Sequence, residues 1–161
     1  MAKTKTNAMR ILDAKNIGYE LISYDRIDGK IDGISVAEKI NKSPGQVYKT
    51  LVAQSANKNI NIFVIPVAEE LDLKKAAKAA GEKKIEMIAV KDIQKYTGYI
   101  RGGCSPVGMK KQYPTFIDRR AGQLKTIVVS GGKIGVQMEL TVENLVEATD
   151  AVLADLIKQA D

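Results

Sequence analysis

Apolar residues recur along this chain at two periods, one helical and one alternating. Between residues 6 and 16, Ala8, Met9, Ile11 and Leu12 fall at helical spacing and predict a first helix. Residues 19–24 read as a short strand, and residues 25–33, rich in Asp and Gly, as a loop. Ser35 followed by Glu38 makes a capping-box pattern that predicts a helix from there to about Asn41. Ser43-Pro44-Gly45-Gln46 repeats the signal and predicts a single turn, with Pro at its first position. Two strands should follow, one carrying Val47-Tyr48-Lys49-Thr50-Leu51-Val52-Ala53 and one over residues 60–67, where Pro66 marks an end at an edge or a bulge. Residues 69–80 place Leu73, Ala76, Ala77 and Ala80 on one helix face, with Gly81 as the stop. A strand over 85–89, a short helix over 91–96 and a strand over 115–118 come next, separated by an irregular stretch at 98–108. Strands over 125–130 and 133–140 flank Gly131-Gly132, a two-residue hairpin signal. From Thr141 onward the pattern predicts one or two helices, interrupted near Thr149-Asp150. The mixture predicts an α/β fold with a mixed sheet, in one domain over residues 1–161, without a linker or internal repeat.

One position breaks the pattern. Alternation along the first long strand turns Lys49 to the same side as Val47, Leu51 and Ala53, the side that seeks a core. Burying an unpaired ammonium costs roughly several kcal/mol after relaxation. Lys49 therefore either covers apolar surface at the core's rim with its head in water, or lines a pocket that receives a polar or anionic ligand.

Composition narrows the chemistry. The chain has no histidine, no tryptophan and one cysteine. Ser-His-Asp and Cys-His catalysis are excluded, a transition-metal site is not expected, and no cofactor is implied. A disulfide framework is ruled out, which suits a reducing cytosol. No apolar run approaches the length of a membrane span, and the basic N-terminus is not followed by the apolar stretch of a secretory signal. Charge is unevenly placed. Residues 1–138 carry 24 basic against 13 acidic side chains, while residues 139–161 carry six acidic residues against Lys158. Such a balance favours a polyanionic partner such as nucleic acid. Lys74, Lys75, Lys78, Lys83 and Lys84 are candidates for a phosphate backbone, or else form a solvated helix face.

A second segment suggests chemistry. Gly102-Gly103-Cys104-Ser105-Pro106-Val107-Gly108 has glycines close enough to present backbone N–H groups to an oxyanion or a phosphate. It is neither a Walker loop nor a dinucleotide fingerprint. Cys104 has no base beside it, only Arg101 as a nearby cation, and is rejected as a nucleophile.

Four segments, in order and over nearly the whole chain, carry a resemblance: Gln46-Val47-Tyr48-Lys49-Thr50-Leu51, Leu71-Asp72-Leu73-Lys74-Lys75, Thr97 through Gly108, and Val129-Ser130-Gly131-Gly132-Lys133. Together they resemble the YbaK family of Cys-tRNA(Pro) deacylases, which includes the editing insertion domain of bacterial prolyl-tRNA synthetases. The resemblance implies a curved, barrel-like mixed sheet flanked by helices and a trans-editing activity on Cys-tRNA(Pro) and Cys-tRNA(Cys). It implies aminoacyl-tRNA as substrate and prolyl-tRNA synthetase as a transient partner. By this resemblance Lys49 is the essential lysine, with Gly102 and Gly103 as backbone donors to the oxyanion; Tyr24, Thr50, Ser130, Gly131 and Gln137 fall at pocket positions. The chain departs from the family twice. Gly29-Lys30-Ile31-Asp32-Gly33 replaces an aromatic-bearing segment, and Gln137 stands where the family favours Asp. In this family the substrate's own thiol is thought to attack its carbonyl, which suits a chain without His; Lys49 as general base is the alternative. Two other readings stand beside it: a deacylase for another small residue such as Ala, and a non-catalytic tRNA- or synthetase-binding module.

Overall fold

The computed structural model describes residues 5–159. Its strands form two sheets. The larger has order β4-β2-β3-β5-β8, built from β2 (Tyr48–Ser55), β3 (Ile60–Pro66), β4 (Ile85–Met87), β5 (Thr115–Asp118) and β8 (Val152–Ala154). The β4–β2–β3 part is antiparallel, and β5 and β8 continue it in parallel. The smaller sheet is antiparallel with order β1-β7-β6, from β1 (Glu20–Ser23), β6 (Thr126–Lys133) and β7 (Val136–Thr141). A parallel bridge between Val47 and Val128 stitches the two at the start of β2. The strands thus make two sheets joined at a corner, rather than one closed barrel.

β3 explains the layering. All seven of its residues are buried, as expected of a central strand covered on both faces. Ile62 and Val64 join Tyr48, Val52, Ile127, Val129 and Met138 in the core between the sheets, which α1 (Asn7–Ala14) and α5 (Val142–Thr149) close through Leu12 and Leu145. Phe63 and Ile65 face the other way, with Ala53, Phe116, Ala76, Ala77 and Leu156 under α3 (Leu73–Ala80). Phe63 and Phe116 stack with ring centroids 5.5 Å apart. Pro66 sits at the last position of β3, where a missing N–H does least harm to the ladder.

Several sequence expectations shift. The second helix, α2, covers Gly33–Lys39, and its cap is Asp32, which accepts from the Ser35 N–H, so Ser35 lies inside the first turn. The α3 helix begins after Asp72, whose carboxylate caps Lys74 and Lys75, later than the apolar pattern suggests. Gly131-Gly132 is not the hairpin turn. Strand β6 runs through the pair to Lys133 with an irregularity in register, and the turn is Ile134-Gly135. Gly132 and Gly135 both take positive φ, so either could have served. After α5 the chain forms strand β8, not a second helix, because a parallel place beside β5 is available. The short α4 (Ile93–Thr97) ends at Gly98 in the left-handed conformation, as expected.

Candidate functional site

A cleft of about 800 Å³ opens where the start of β2, the loop before α2, the 101–104 loop and the β6–β7 pair converge. Lys49, Thr50, Gly102, Ser130 and Gln137 line it, so five of the residues singled out from the sequence meet in one place.

Lys49 occupies the second position of β2, opposite Ile65. Leu51 and Ala53 continue its side of the strand into the core beneath α3. Partial burial lowers the lysine's pKa below its ordinary value, and Glu70 and Glu69 act against that shift from a distance. Among the described residues Lys49 forms no ion pair. An ammonium that is partly desolvated and unpaired is poised to donate to a ligand's oxygen. Next to it, the hydroxyls of Tyr48 and Thr50 are buried and lack a hydrogen-bond partner among the described residues. Burial, reinforced by Asp118, raises the Tyr48 phenol's pKa, so it stays protonated.

The glycine loop is stiff. Tyr99 donates its hydroxyl to the Val107 carbonyl at 2.7 Å, the Tyr99 N–H is held by Thr97 Oγ1, and the Val107 N–H by Ser105 Oγ. Gly102 has φ of 86°, and a β-carbon there would approach Ile31 Cδ1 to 3.0 Å. Gly103 is required for a different reason, since a β-carbon would meet the Lys133–Ile134 backbone at 2.9 Å. The Gly103 N–H donates to the Ile100 carbonyl at 3.0 Å. The Gly103 amide therefore closes a turn and Gly103 lies outside the lining, whereas Gly102 lines the cleft together with Gly29 and Gly33.

Of the other expected pocket residues, Gly131 and Tyr24 stand behind the lining, whereas Ser130 and Gln137 form part of it. Gly131 packs under Val136, and its carbonyl accepts the Thr6 hydroxyl at 2.6 Å. Tyr24 is buried outside the lining, with its ring 6.0 Å from the Lys39 Nζ. Ser130 Oγ accepts the Gly132 N–H at 3.1 Å. Gln137 is buried at the cleft and pairs with Ser130 across the sheet. Cys104 also lines the cleft, but burial pushes its thiol up to about 11, which removes the thiolate a nucleophile needs.

The cleft wall is the 25–33 loop, and Lys39 organises it. Its Nζ donates to the Asp25 carbonyl (2.6 Å), Asp28 Oδ1 (2.7 Å) and the Lys30 carbonyl (2.9 Å). The bond from Lys39 holds the Asp28 carboxyl below the usual range. The loop presents Ile31 and the first turn of α2 presents Ile34 to the cleft, so an aliphatic wall stands where the family pattern leads one to expect an aromatic one.

Sequence reasoning missed Asp32 as a lining residue and considered Arg101 only beside Cys104; both face the cleft. Asp32 was hidden by its role as a helix cap. Arg101 had a readable signal, a cation next to a Gly-Gly pair.

The five lysines proposed for a phosphate backbone fall into two groups. Lys75 is tied to Asp155 at 3.2 Å and to the Ile157 carbonyl at 2.9 Å, so it is an internal brace. Lys84 pairs with Glu86 in solvent. Lys74, Lys78 and Lys83 are exposed. Among the described residues no group of His, Cys, Asp and Glu side chains could hold a metal ion, and no helix is long and apolar enough to cross a membrane.

The two-sheet α/β scaffold thus holds a glycine-edged cleft that carries Lys49, Arg101 and Asp32, in a chain without imidazole. The aminoacyl-tRNA editing domain model matches residues 32–148, and the chain belongs to that family. It is 43% identical over 152 residues to an Enterococcus faecalis protein provisionally named Cys-tRNA(Pro)/Cys-tRNA(Cys) deacylase EbsC, covering 94% of this chain and 93% of that one. Solved structures share the fold. The crystal structure of hypothetical protein APE2540 superposes with a TM-score of 0.86 at 23% identity, covering 94% of this chain and 99% of that one. A structure provisionally described as a trans-editing enzyme for prolyl tRNA synthetase gives 0.82 at 22% identity, covering 98% and 100%.

Proposed function

We propose that this protein is a trans-editing aminoacyl-tRNA deacylase that clears Cys-tRNA(Pro) and acts also on Cys-tRNA(Cys). The observation that carries the reading is the unpaired Lys49 amine inside a cleft edged by Gly102, on a chain of the editing-domain family. The E. faecalis relative's name supplies the substrate class. Discrimination of cysteine from proline by a hydrophobic pocket alone is limited to about 10–200-fold, so a separate clearing site has a use.

An aminoacyl ester needs little activation. In this reading the substrate's thiol attacks its own carbonyl carbon. A C–S bond forms, the ester C–O bond breaks, the thiol proton passes to the departing ribose oxygen, and a thiolactone and free tRNA leave. Lys49 holds the ester or the terminal ribose, the Gly102 N–H faces the developing oxyanion, and closeness of thiol and carbonyl supplies much of the rate. The thiol of Cys104, protonated and buried, takes no part. Gln137, Ser130 and Thr50 complete the polar lining. The 1–161 chain works as a single deacylase domain in the cytoplasm, with a prolyl-tRNA synthetase complex as a transient partner that selects the tRNA.

The test is deacylation of Cys-tRNA(Pro), Cys-tRNA(Cys) and Ala-tRNA(Pro) by the wild type and by Lys49→Ala, with tRNA binding measured in parallel. Turnover of both cysteinyl substrates, lost in Lys49→Ala while binding persists, supports the reading. Faster turnover of Ala-tRNA(Pro) would shift the specificity, and binding without turnover in either protein would make it a passive module.

A further inference from the structure

The cleft carries charges of both signs, and their placement suggests which end of the substrate goes where. Among the described residues Asp32 is the one acidic side chain in the lining, whereas Lys49 and Arg101 are its cations. Other carboxylates nearby are excluded by position or by partner. Asp28 is held by Lys39 at 2.7 Å, and Glu69 and Glu70 stand outside the lining. Gln137, which does line the cleft, is neutral.

Asp32 has unused capacity. Its Oδ1 accepts the Ser35 hydroxyl at 2.6 Å and its Oδ2 the Ser35 N–H at 3.1 Å. A carboxylate offers about four acceptor sites on its two oxygens, so each oxygen retains room for a further donor. Among the described residues no lysine or arginine forms an ion pair with it. The Ser35 hydroxyl and amide keep the carboxyl ionised by lowering its pKa. Its place is also fixed, because it caps α2 while the preceding residues are braced by Lys39.

On the deacylase reading, the ligand is an aminoacyl ester with an ammonium on its α-carbon and phosphodiesters on its nucleotide side. We infer that Asp32 is a specificity-determining residue whose carboxylate receives the substrate's α-ammonium, while Lys49 and Arg101 face the ester and the nucleotide end. The opposite orientation would set the ammonium against two cations and the phosphates against the sole carboxylate. The arrangement makes the site a reader of free amino groups: an ester that carries the thiol but no α-amine loses the Asp32 contact.

The experiment compares wild type and Asp32→Asn on cysteinyl-tRNA and on 3-mercaptopropionyl-tRNA, the des-amino ester with the same thiol. Each rate is divided by that ester's spontaneous hydrolysis. Asn caps a helix as well as Asp does, so the variant keeps α2, and its circular dichroism and Tm verify this. The wild type is expected to favour the cysteinyl ester, and Asp32→Asn to lose about tenfold on it, the scale of a hydrogen bond to a charged group, with a much smaller loss on the des-amino ester. Equal losses on both esters, or none, in a folded variant would overturn the assignment of Asp32 while leaving the deacylase reading intact. Failure of the wild type to turn over either ester would overturn that reading and the inference with it.

Discussion

The floor and the wall of the cleft each carry a lysine, and the fold treats the two in opposite ways. On the wall, Lys39 is surrounded by three oxygens of the 25–33 loop and lies near the face of Tyr24. Its charge is satisfied, and it acts as an internal cation around which a loop without regular structure takes one shape. On the floor, Lys49 sits in a strand whose neighbours point into a core, is partly desolvated, and has no ion-pair partner among the described residues. A satisfied charge holds structure together. An unsatisfied one costs stability, and a site retains such a cost where a ligand completes it.

The comparison breaks most visibly by substitution. Lys49→Met should reduce deacylation at least about 100-fold, the scale of losing one transition-state donor, without lowering Tm. The sign follows from the direction of the shift. A lysine with a depressed pKa in the folded state penalises folding while it is charged, and the penalty fades as pH rises through the folded value towards the ordinary one. The Tm advantage of Lys49→Met is therefore fully present at neutral pH and closes in alkali. A Tm well below wild type at pH 7 would place Lys49 in the structural class with Lys39.

Lys39→Met should show the reverse balance. Losing charge-assisted bonds costs about 2 kcal/mol, and the freed loop should raise KM more than it lowers kcat, because the wall is loosened while Lys49 and Gly102 stay in place. Limited proteolysis within residues 25–33 gives an independent readout. An intact loop with normal KM would remove Lys39 from the account.

The smallest effect lies outside the cleft. Replacing Lys74, Lys78 and Lys83 with Gln should weaken tRNA binding and flatten its logarithmic salt dependence by about 0.7–0.9 per lost phosphate contact. Lys75→Gln should act on stability instead, since that amine braces Asp155 and the Ile157 carbonyl. A salt slope unchanged in the triple variant would move the tRNA path to another face.

The two lysines also show what a sequence discloses. Lys49 was legible because a charge interrupted an alternating apolar strand, and the pattern needed no tertiary knowledge. Lys39 was invisible because two of its three acceptors are backbone carbonyls of a loop, which leave no trace in residue type. Asp32 shows a related limit: Ser35 and Glu38 offered a capping pattern three residues too late, and the true cap proved also to be a cleft residue. In the fold, the β2–β3 pair and Thr115–Asp118 were readable from apolar runs. Strand β8 was not, since Val152–Ala154 acquires its conformation from a parallel place beside β5, and two of its three residues are exposed rather than patterned. The Gly131-Gly132 pair misled because a bulge and a turn demand the same backbone freedom, and only the pairing of Lys133 with Val136 separates them.

The central claim is that the Lys49 amine is unpaired, partly desolvated and placed where the aminoacyl ester binds. Titrating it by NMR in protein carrying a labelled lysine side chain, assigned through Lys49→Met, tests this without relying on turnover. Lys49 is expected to titrate below the ordinary lysine value, and its signal to shift when a non-hydrolysable cysteinyl-adenosine analogue binds. A Lys49 that titrates at the ordinary lysine value and is unmoved by the bound analogue would contradict this.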